Sequence, residues 1–210
     1  MTNAERRDAG MAYIADKSIY EEVIASRRRV HKFNHADPGD LKLLQELMYD
    51  ILGKAGKNLM VNQPFACDYG RHIEVGDNFF ANYGCTILDV GKVTIGSNVL
   101  LAPNVSIYTA GHPVHHKARN THYEYGLPVT IGDNCWIGGS VVILPGVNIG
   151  SGCVIGAGSV VVKDIPDNSV AVGNPCRVVR KITDADREFL HSRVKFDPEA
   201  WEDIVRLTTK

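Results

Sequence analysis

Aliphatic residues recur at every sixth position through the middle of the chain: Ile131, Ile137, Ile143, Ile149, Ile155 and Val161. Gly follows four of them, at 132, 138, 150 and 156, and the fourth residue after each is mostly small or β-branched: Cys135, Val141, Val147, Cys153, Ser159 and Ile165. A looser tract precedes them, with Val75, Ala81 and Ile87, then Ile95, Leu101 and Ile107. The openings Val75-Gly-Asp-Asn, Ile95-Gly-Ser-Asn, Ile131-Gly-Asp-Asn and Ile149-Gly-Ser-Gly mark equivalent points, 20, 36 and 18 residues apart. Such a fixed period is the signature of a repeat architecture. Six residues make a short strand and a turn, and three such units close a triangular coil with one aliphatic side chain pointing inward from each side. Stacked coils then form a solenoid with a continuous apolar core. Gly and Asn at the turns are expected to supply positive φ. The pattern predicts a mainly β fold, a parallel β-helix over residues 58–182.

The flanks lack this period and read as helical. Residues 1–57 hold a short helical segment at 4–13 and a helix capped by Ser18 that runs through Ile19, Val23 and Ile24 to Val30. After the turn Asp37-Pro38-Gly39-Asp40, Asp40 caps a helix with Leu41, Leu44, Leu47, Met48, Ile51 and Leu52 at helical spacing. Gly53 and Gly56 end it. Residues 183–210 form a helical tail, first a short helix from Thr183 or Asp184 through Leu190, then one opened by Asp197-Pro198-Glu199 with Trp201, Ile204, Val205 and Leu207 on its apolar side. From about 108 to 128 the register is broken by a polar excursion that holds four of the eight histidines, His112, His115, His116 and His122. A long polar departure from a regular scaffold is where a site is expected.

Composition narrows the function. The 210 residues suit one domain with a small appendage. Lys plus Arg is 23 and Asp plus Glu is 24, a formal charge of −1, so a whole-protein basic field for nucleic acid is absent. The polar start does not resemble a secretory signal, and no stretch approaches the roughly 20 apolar residues of a membrane span. Five cysteines, at 67, 85, 135, 153 and 176, form no C-x-x-C pair and read as free thiols of a cytoplasmic protein. Cys135 and Cys153 occupy small inward places of the repeat, which suits packing and not nucleophilic chemistry.

Several motifs stand in an order and spacing that resemble the bacterial sugar O-acetyltransferases of the maltose and galactoside group. They span residues 3–182: Arg6, Ala9-Gly10, Asp16, Arg27-Arg28-Arg29, Phe33-Asn34, Asp68-Tyr69-Gly70, Asn78-Phe79-Phe80-Ala81-Asn82 and Ile87-Leu88-Asp89. Further on come Ala102-Pro103-Asn104-Val105, Gly111-His112-Pro113, Trp136-Ile137-Gly138, Gly156-Ala157-Gly158-Ser159, Lys163-Asp164-Ile165-Pro166 and Gly173-Asn174-Pro175-Cys176-Arg177. The resemblance implies a left-handed β-helix and a homotrimer with its sites between subunits. It implies direct acetyl transfer from acetyl-CoA to the hydroxyl of a small sugar in a ternary complex, with no metal required.

The resemblance also assigns roles. His112 matches the general base, and Glu124 the acidic position that orients it on the acceptor side. Asn82 matches a contact to the acceptor hydroxyl or to His112, and Asp16, Asp68 and Asp89 match sugar-contacting positions. The backbone N–H of Gly139 matches the oxyanion donor, and Trp136 the flank of the thioester or pantetheine arm. Ala157 and Val162 match pantetheine contacts, with Lys163, Arg177 and Arg180 at the cationic end of the cofactor site. These residue types suit the chemistry. A sugar hydroxyl needs a base, carboxylates accept strong hydrogen bonds from hydroxyls, preorganised N–H groups stabilise a developing oxyanion, and CoA phosphates attract cations. Three rival readings share the scaffold: acetyl transfer to a non-sugar hydroxylated acceptor such as an antibiotic, a non-catalytic β-helix module, and a metal-dependent hydratase. The last fits poorly, because the adjacent His115 and His116 aim badly at one metal.

Overall fold

The structure is a computed structural model that describes residues 1–209 except Ser192. Its centre is a triangular solenoid of short parallel strands. The first face stacks Lys54–Ala55, Ile73–Val75, Val93–Ile95, Val129–Ile131 and Asn148–Ile149. The second stacks Met60–Val61, Phe80–Ala81, Leu100–Leu101, Trp136–Ile137, Val154–Ile155 and Ser169–Val172, and Arg177–Lys181 pairs antiparallel on its end. The third stacks Ala66–Cys67, Thr86–Leu88, Ser106–Tyr108, Val142–Ile143 and Val160–Val161. The hexapeptide period thus has the structural meaning expected of it. Val75, Ile95, Ile131 and Ile149 lie in register on one face, and Ile87, Ile107, Ile143 and Val161 on another. All are buried. Each fully buried aliphatic side chain contributes about 1.5–3 kcal/mol, which makes these ladders the main source of stability.

The turns depart from expectation in one respect. The Asn of each I-G-x-N opening takes positive φ, at Asn78, Asn98 and Asn134 (56°, 56° and 58°), but the Gly before it does not. Those glycines are required by close approach. A Cβ on Gly76, Gly96, Gly132 or Gly150 would lie 2.6–2.7 Å from a backbone nitrogen of the next coil. The side chain after each Gly uses the same closeness. Ser97 N donates to Asp133 Oδ1, Asp133 N to Ser151 Oγ, and Ser151 N to Asp167 Oδ1, at 2.7–3.1 Å. The Asn side chains add a ladder of their own, Asn58 to Asn78 to Asn98 to Asn134, at 2.8–3.0 Å.

The N-terminal segment forms α1 (Asn3–Asp8), α2 (Lys17–Asn34) and α3 (Leu41–Ile51). Asp40 caps α3 as expected. α2 is capped by Asp16, not Ser18, and runs on to Asn34. Residues 9–13 are not helical, and Tyr13–Ile14 is a strand. Phe33, Leu44, Met48 and Ile51 join Val61, Phe65 and Ile73 in the solenoid core, so α3 plugs its open end. The first rung begins at Lys54, which moves the boundary of the helical segment back to Gly53.

In the tail, the short helix expected through Leu190 is instead a 3-10 turn at Asp184–Asp186 and then a strand, Phe189–His191, which pairs with Val194–Lys195. The final helix, Pro198–Thr208, is present and capped by Asp197. Its Trp201 stacks with Phe196 and lies under the Arg187 guanidinium. Local tail contacts of this kind overrode the helical pattern.

Two alanine substitutions separate close approach from backbone strain. Gly132→Ala is expected to lower unfolding stability by about 3 kcal/mol or more, because the obstacle is backbone. Gly158→Ala, at φ +72° with nothing near its added methyl, is expected to lower it by about 1 kcal/mol. Denaturant unfolding of both variants checks the order.

Candidate active site

The excursion at 108–128 is an ordered hairpin. Thr109 anchors it, its buried hydroxyl donating to Leu88 O and accepting from Gly91 N. Ala110–Gly111 pairs antiparallel with Tyr123–Gly126, and Tyr13–Ile14 adds a third strand on the far side of Tyr123–Gly126. Gly111 lets the Tyr125 ring pack against the backbone, since a Cβ there would sit 2.6 Å from that ring. His112 therefore leaves a fixed strand end. Arg119 braces the turn beyond it, with Nη1 donating to Pro113 O and Val114 O at 3.0 and 2.8 Å.

His112 is 56% exposed, and its Nε2 lies 4.0 Å from Glu124 Oε2, which is 23% exposed. The pair opens on a cleft of about 620 Å³ lined by Ile14, Ala15, Tyr20, Arg119, Asn120 and His122. Of these, the sequence names only His122, as one of the histidines of the excursion. Arg119 could have been found only through its place in that excursion, and Tyr20 gave no signal. His115 and His116 stack on each other at 4.8 Å, exposed and outside the cleft lining, and His115 Nδ1 accepts from Lys117 N.

Asp68 lies behind the pair. Burial, reinforced by Asp89 and Glu124, pushes its carboxyl up to about 6, against an opposing pull from Arg27. Asp89 is wholly buried. Its Oδ1 accepts from Asp68 N and Tyr69 N at 3.0 and 2.9 Å, and its Oδ2 from His72 N at 3.3 Å.

A second constellation sits on another edge of the triangle, between the second and third faces. Asn82 Oδ1 accepts from Asn62 Nδ2 and Tyr83 N, and among the described residues its Nδ2 has no acceptor. Above it lie Gly139 and Ala157. Among the described residues the N–H of Gly139 has no acceptor, while its carbonyl accepts from Gly158 N. Trp136 stands just before this edge, 54% exposed, on the outer side of the second face. Val162 and Lys163 come after the third face instead, on the edge that carries His112. Arg177 is exposed on the terminal antiparallel strand. On the same strand, Arg180 makes a two-pronged pair with tail residue Asp186, both contacts at 2.9 Å. The expected cofactor residues thus fall into three places on one chain.

Residues 6–56 match the maltose acetyltransferase hexapeptide capping motif, and residues 128–163 match the bacterial transferase hexapeptide family of six repeats. The galactoside O-acetyltransferase of Escherichia coli K12 is 43% identical over 94% of this chain and 98% of its own length. The chain belongs to the galactoside and maltose O-acetyltransferase family. The solved structure of a maltose O-acetyltransferase from Clostridium difficile 630 superposes with a TM-score of 0.87 at 50% identity, covering 88% of this chain and 99% of that one. A galactoside acetyltransferase solved in complex with coenzyme A gives 0.90 at 43% identity, covering 94% and 99%.

Two of the expected sugar contacts carry structural bonds of their own, Asp89 fully buried and Asp16 half-buried. Asp89 spends both oxygens on the backbone of the turn at 68–72 and presents no surface, so it shapes the ground under Asp68 and does not face a ligand. Asp16 caps α2, with Oδ1 accepting from Ser18 N, Ser18 Oγ and Ile19 N and Oδ2 from Asn3 Nδ2. These bonds hold its carboxyl below the usual range. Turn chemistry takes the whole Asp89 carboxylate, while Asp16 caps α2 and keeps part of its carboxylate at the surface. The Glu124 to His112 separation of 4.0 Å is longer than a hydrogen bond, so the two are neighbours that a small rotation would join.

The raised Asp68 carboxyl has a defined consequence for stability. Its folded-state value exceeds the unfolded one, so ionisation opposes folding, and that loss sets in as pH rises from about 4 through about 6. Asp68→Asn, which keeps the shape without the charge, is expected to be more stable than wild type by about 1–2 kcal/mol at pH 7.5, with the gap closing below about pH 4. Thermal unfolding at the two pH values reads the sign.

Proposed function

We propose that this protein transfers an acetyl group from acetyl-CoA to the hydroxyl of a small sugar, with His112 as general base. The observation that carries the reading is the His112–Glu124 pair held by the hairpin strands over an open cleft in a chain of this family. An acceptor hydroxyl in the cleft gives its proton to the imidazole of His112 as its oxygen attacks the thioester carbonyl. The tetrahedral oxyanion is met by the unpaired N–H of Gly139. Collapse breaks the C–S bond, and the thiol of CoA leaves with the proton that His112 returns. Asp68 and the amide of Asn82 fix the acceptor. Trp136, Ala157 and Val162 line the pantetheine path, and Lys163, Arg177 and Arg180 attract the phosphates, Arg180 by exchanging its Asp186 partner. The cysteines take no part. Burial pushes the Cys67 and Cys135 thiols up to about 12 and about 11, far from a reactive thiolate.

Direct transfer brings base, hydroxyl and thioester within about 3.5 Å of one another. On one chain, His112 and Gly139 sit on different edges of a triangle whose side is six residues, up to about 20 Å. The site is therefore completed by another copy, in a homotrimer. The second face supports this. Met60, Phe80, Leu100, Trp136, Val154 and Val170 form an outward apolar ladder in register, with Met60, Leu100 and Trp136 about half exposed. A contiguous apolar stripe of this kind marks an interaction surface.

Release of CoA from acetyl-CoA across a panel of sugars and other hydroxylated acceptors tests the reaction. His112→Ala is expected to lose about 10²–10⁴-fold in rate. Transfer unaffected by that substitution would sink the base assignment, and transfer only to a non-sugar would replace the acceptor class. Co-refolding inactive His112→Ala with inactive Asn82→Ala is expected to restore about a quarter of wild-type activity, since random trimers then contain intact composite sites. No recovery would place both residues on one chain's site.

A further inference from the structure

Tyr13 is wholly buried, yet among the described residues its hydroxyl has no partner at hydrogen-bond distance, although Glu124 and Tyr69 both lie close enough to act on it. Among the described residues, the only other buried side-chain nitrogen or oxygen in that condition is Nε of Arg29. Buried polar groups are nearly always paired, so an orphan of this kind calls for a reason. Its location supplies one. Tyr13 stands directly opposite Glu124 across the antiparallel pair of Tyr13–Ile14 with Tyr123–Gly126. Opposed residues of such a pair project to the same side of the sheet. The phenol and the carboxylate that neighbours His112 therefore share one face.

The ring itself is immobile. Tyr13, Ile19, Tyr69 and Val90 form a compact buried cluster. Tyr69 is in turn covered by the Arg7 guanidinium, 4.5 Å from its ring centre, and Arg7 is tied to Asp8 and Glu22. Burial, then the Glu124 carboxylate and the Tyr69 phenol, raise the Tyr13 pKa, so its O–H remains a donor throughout the range in which an imidazole base works. Glu124 and His112 are the more exposed members, 23% and 56%, and stand 4.0 Å apart. A carboxylate has two oxygens and accepts from both. With one oxygen on the phenol and the other moved about an ångström closer to Nε2, it bridges phenol and imidazole.

We infer that Tyr13 is a positioning residue whose hydroxyl donates to Glu124 and holds that carboxylate toward His112 when an acceptor fills the cleft. This rests on His112 being the base of acetyl transfer. It gives the N-terminal segment a part in the reaction beyond covering the solenoid, delivered by one strand of two residues.

The experiment compares wild type, Tyr13→Phe, Glu124→Gln, the double variant and Tyr13→Leu, in acetyl transfer to the best acceptor of the panel and in thermal unfolding. Tyr13→Phe is expected to lose about tenfold in kcat, with KM for acetyl-CoA unchanged and Tm equal to or above wild type, since the ring stays and only an unpaired hydroxyl goes. In the Glu124→Gln background the same substitution is expected to add no further loss. Tyr13→Leu, which removes the ring, is expected to lose stability as well as rate. A wild-type kcat in Tyr13→Phe, or a loss that simply adds to that of Glu124→Gln, overturns the inference alone. Should Tyr13→Phe fail to fold, the hydroxyl is structural and the inference is likewise overturned. Absence of acetyl transfer by the wild type overturns the acetyl-transfer reading and this inference with it.

Discussion

Aliphatic side chains stacked in register from coil to coil set the spacing on which the rest of this molecule depends. Parallel strands pair at about 4.8 Å, and the inward ladders of Ile, Val and Leu hold successive coils at that distance around the whole triangle. The spacing leaves no room for a Cβ at Gly76, Gly96, Gly132 or Gly150. It also brings each Asp or Ser of the next position within reach of a backbone N–H one coil away. One constraint explains both the glycine and the residue after it, and positive φ explains only the Asn.

A frame this regular offers little chemistry of its own. Its faces are short strands and its turns are occupied by coil-to-coil bonds. Reactive groups are gathered where the regularity is interrupted or ends. The excursion carries His112 and Glu124, the N-terminal strand is added to its hairpin, and the terminal antiparallel strand carries Arg177 and Arg180. The regular edge contributes in a different way. At Gly139 the coil leaves one N–H without an acceptor among the described residues, while Ser140 N next to it donates to Pro103 O. Rigid scaffold and irregular insert thus supply complementary parts, a fixed donor on one side and an adjustable base on the other.

The acidic residues around the hairpin show how one residue type divides by environment. Asp89 is sealed under a turn and spends its oxygens on backbone N–H groups. Asp16 caps a helix. Asp68 is held partly desolvated beside two other carboxylates and retains a proton more readily. Glu124 stays partly exposed beside an imidazole. Spacing along the chain shows none of these differences, since all four read as polar residues near a site.

The sequence by itself determined the solenoid, the helical N-terminal segment, the interruption at 108–128 and the outward Trp136. Each of these is written in a local period, a cap or a break in the period, and short-range sterics suffice to decode them. The candidate site was legible as residue types. Which residues meet was decided by tertiary structure alone. The pairing of Tyr13–Ile14 with Tyr123–Gly126 joins segments over a hundred positions apart, and no local propensity encodes it. The same holds for the loss of Asp89 to backbone donors, the capture of Arg180 by Asp186 and the replacement of a tail helix by a hairpin. Each depends on which partner comes within hydrogen-bond reach once the coils are stacked. The period fixes where the coils lie, and only the packed molecule decides which polar groups remain free for chemistry.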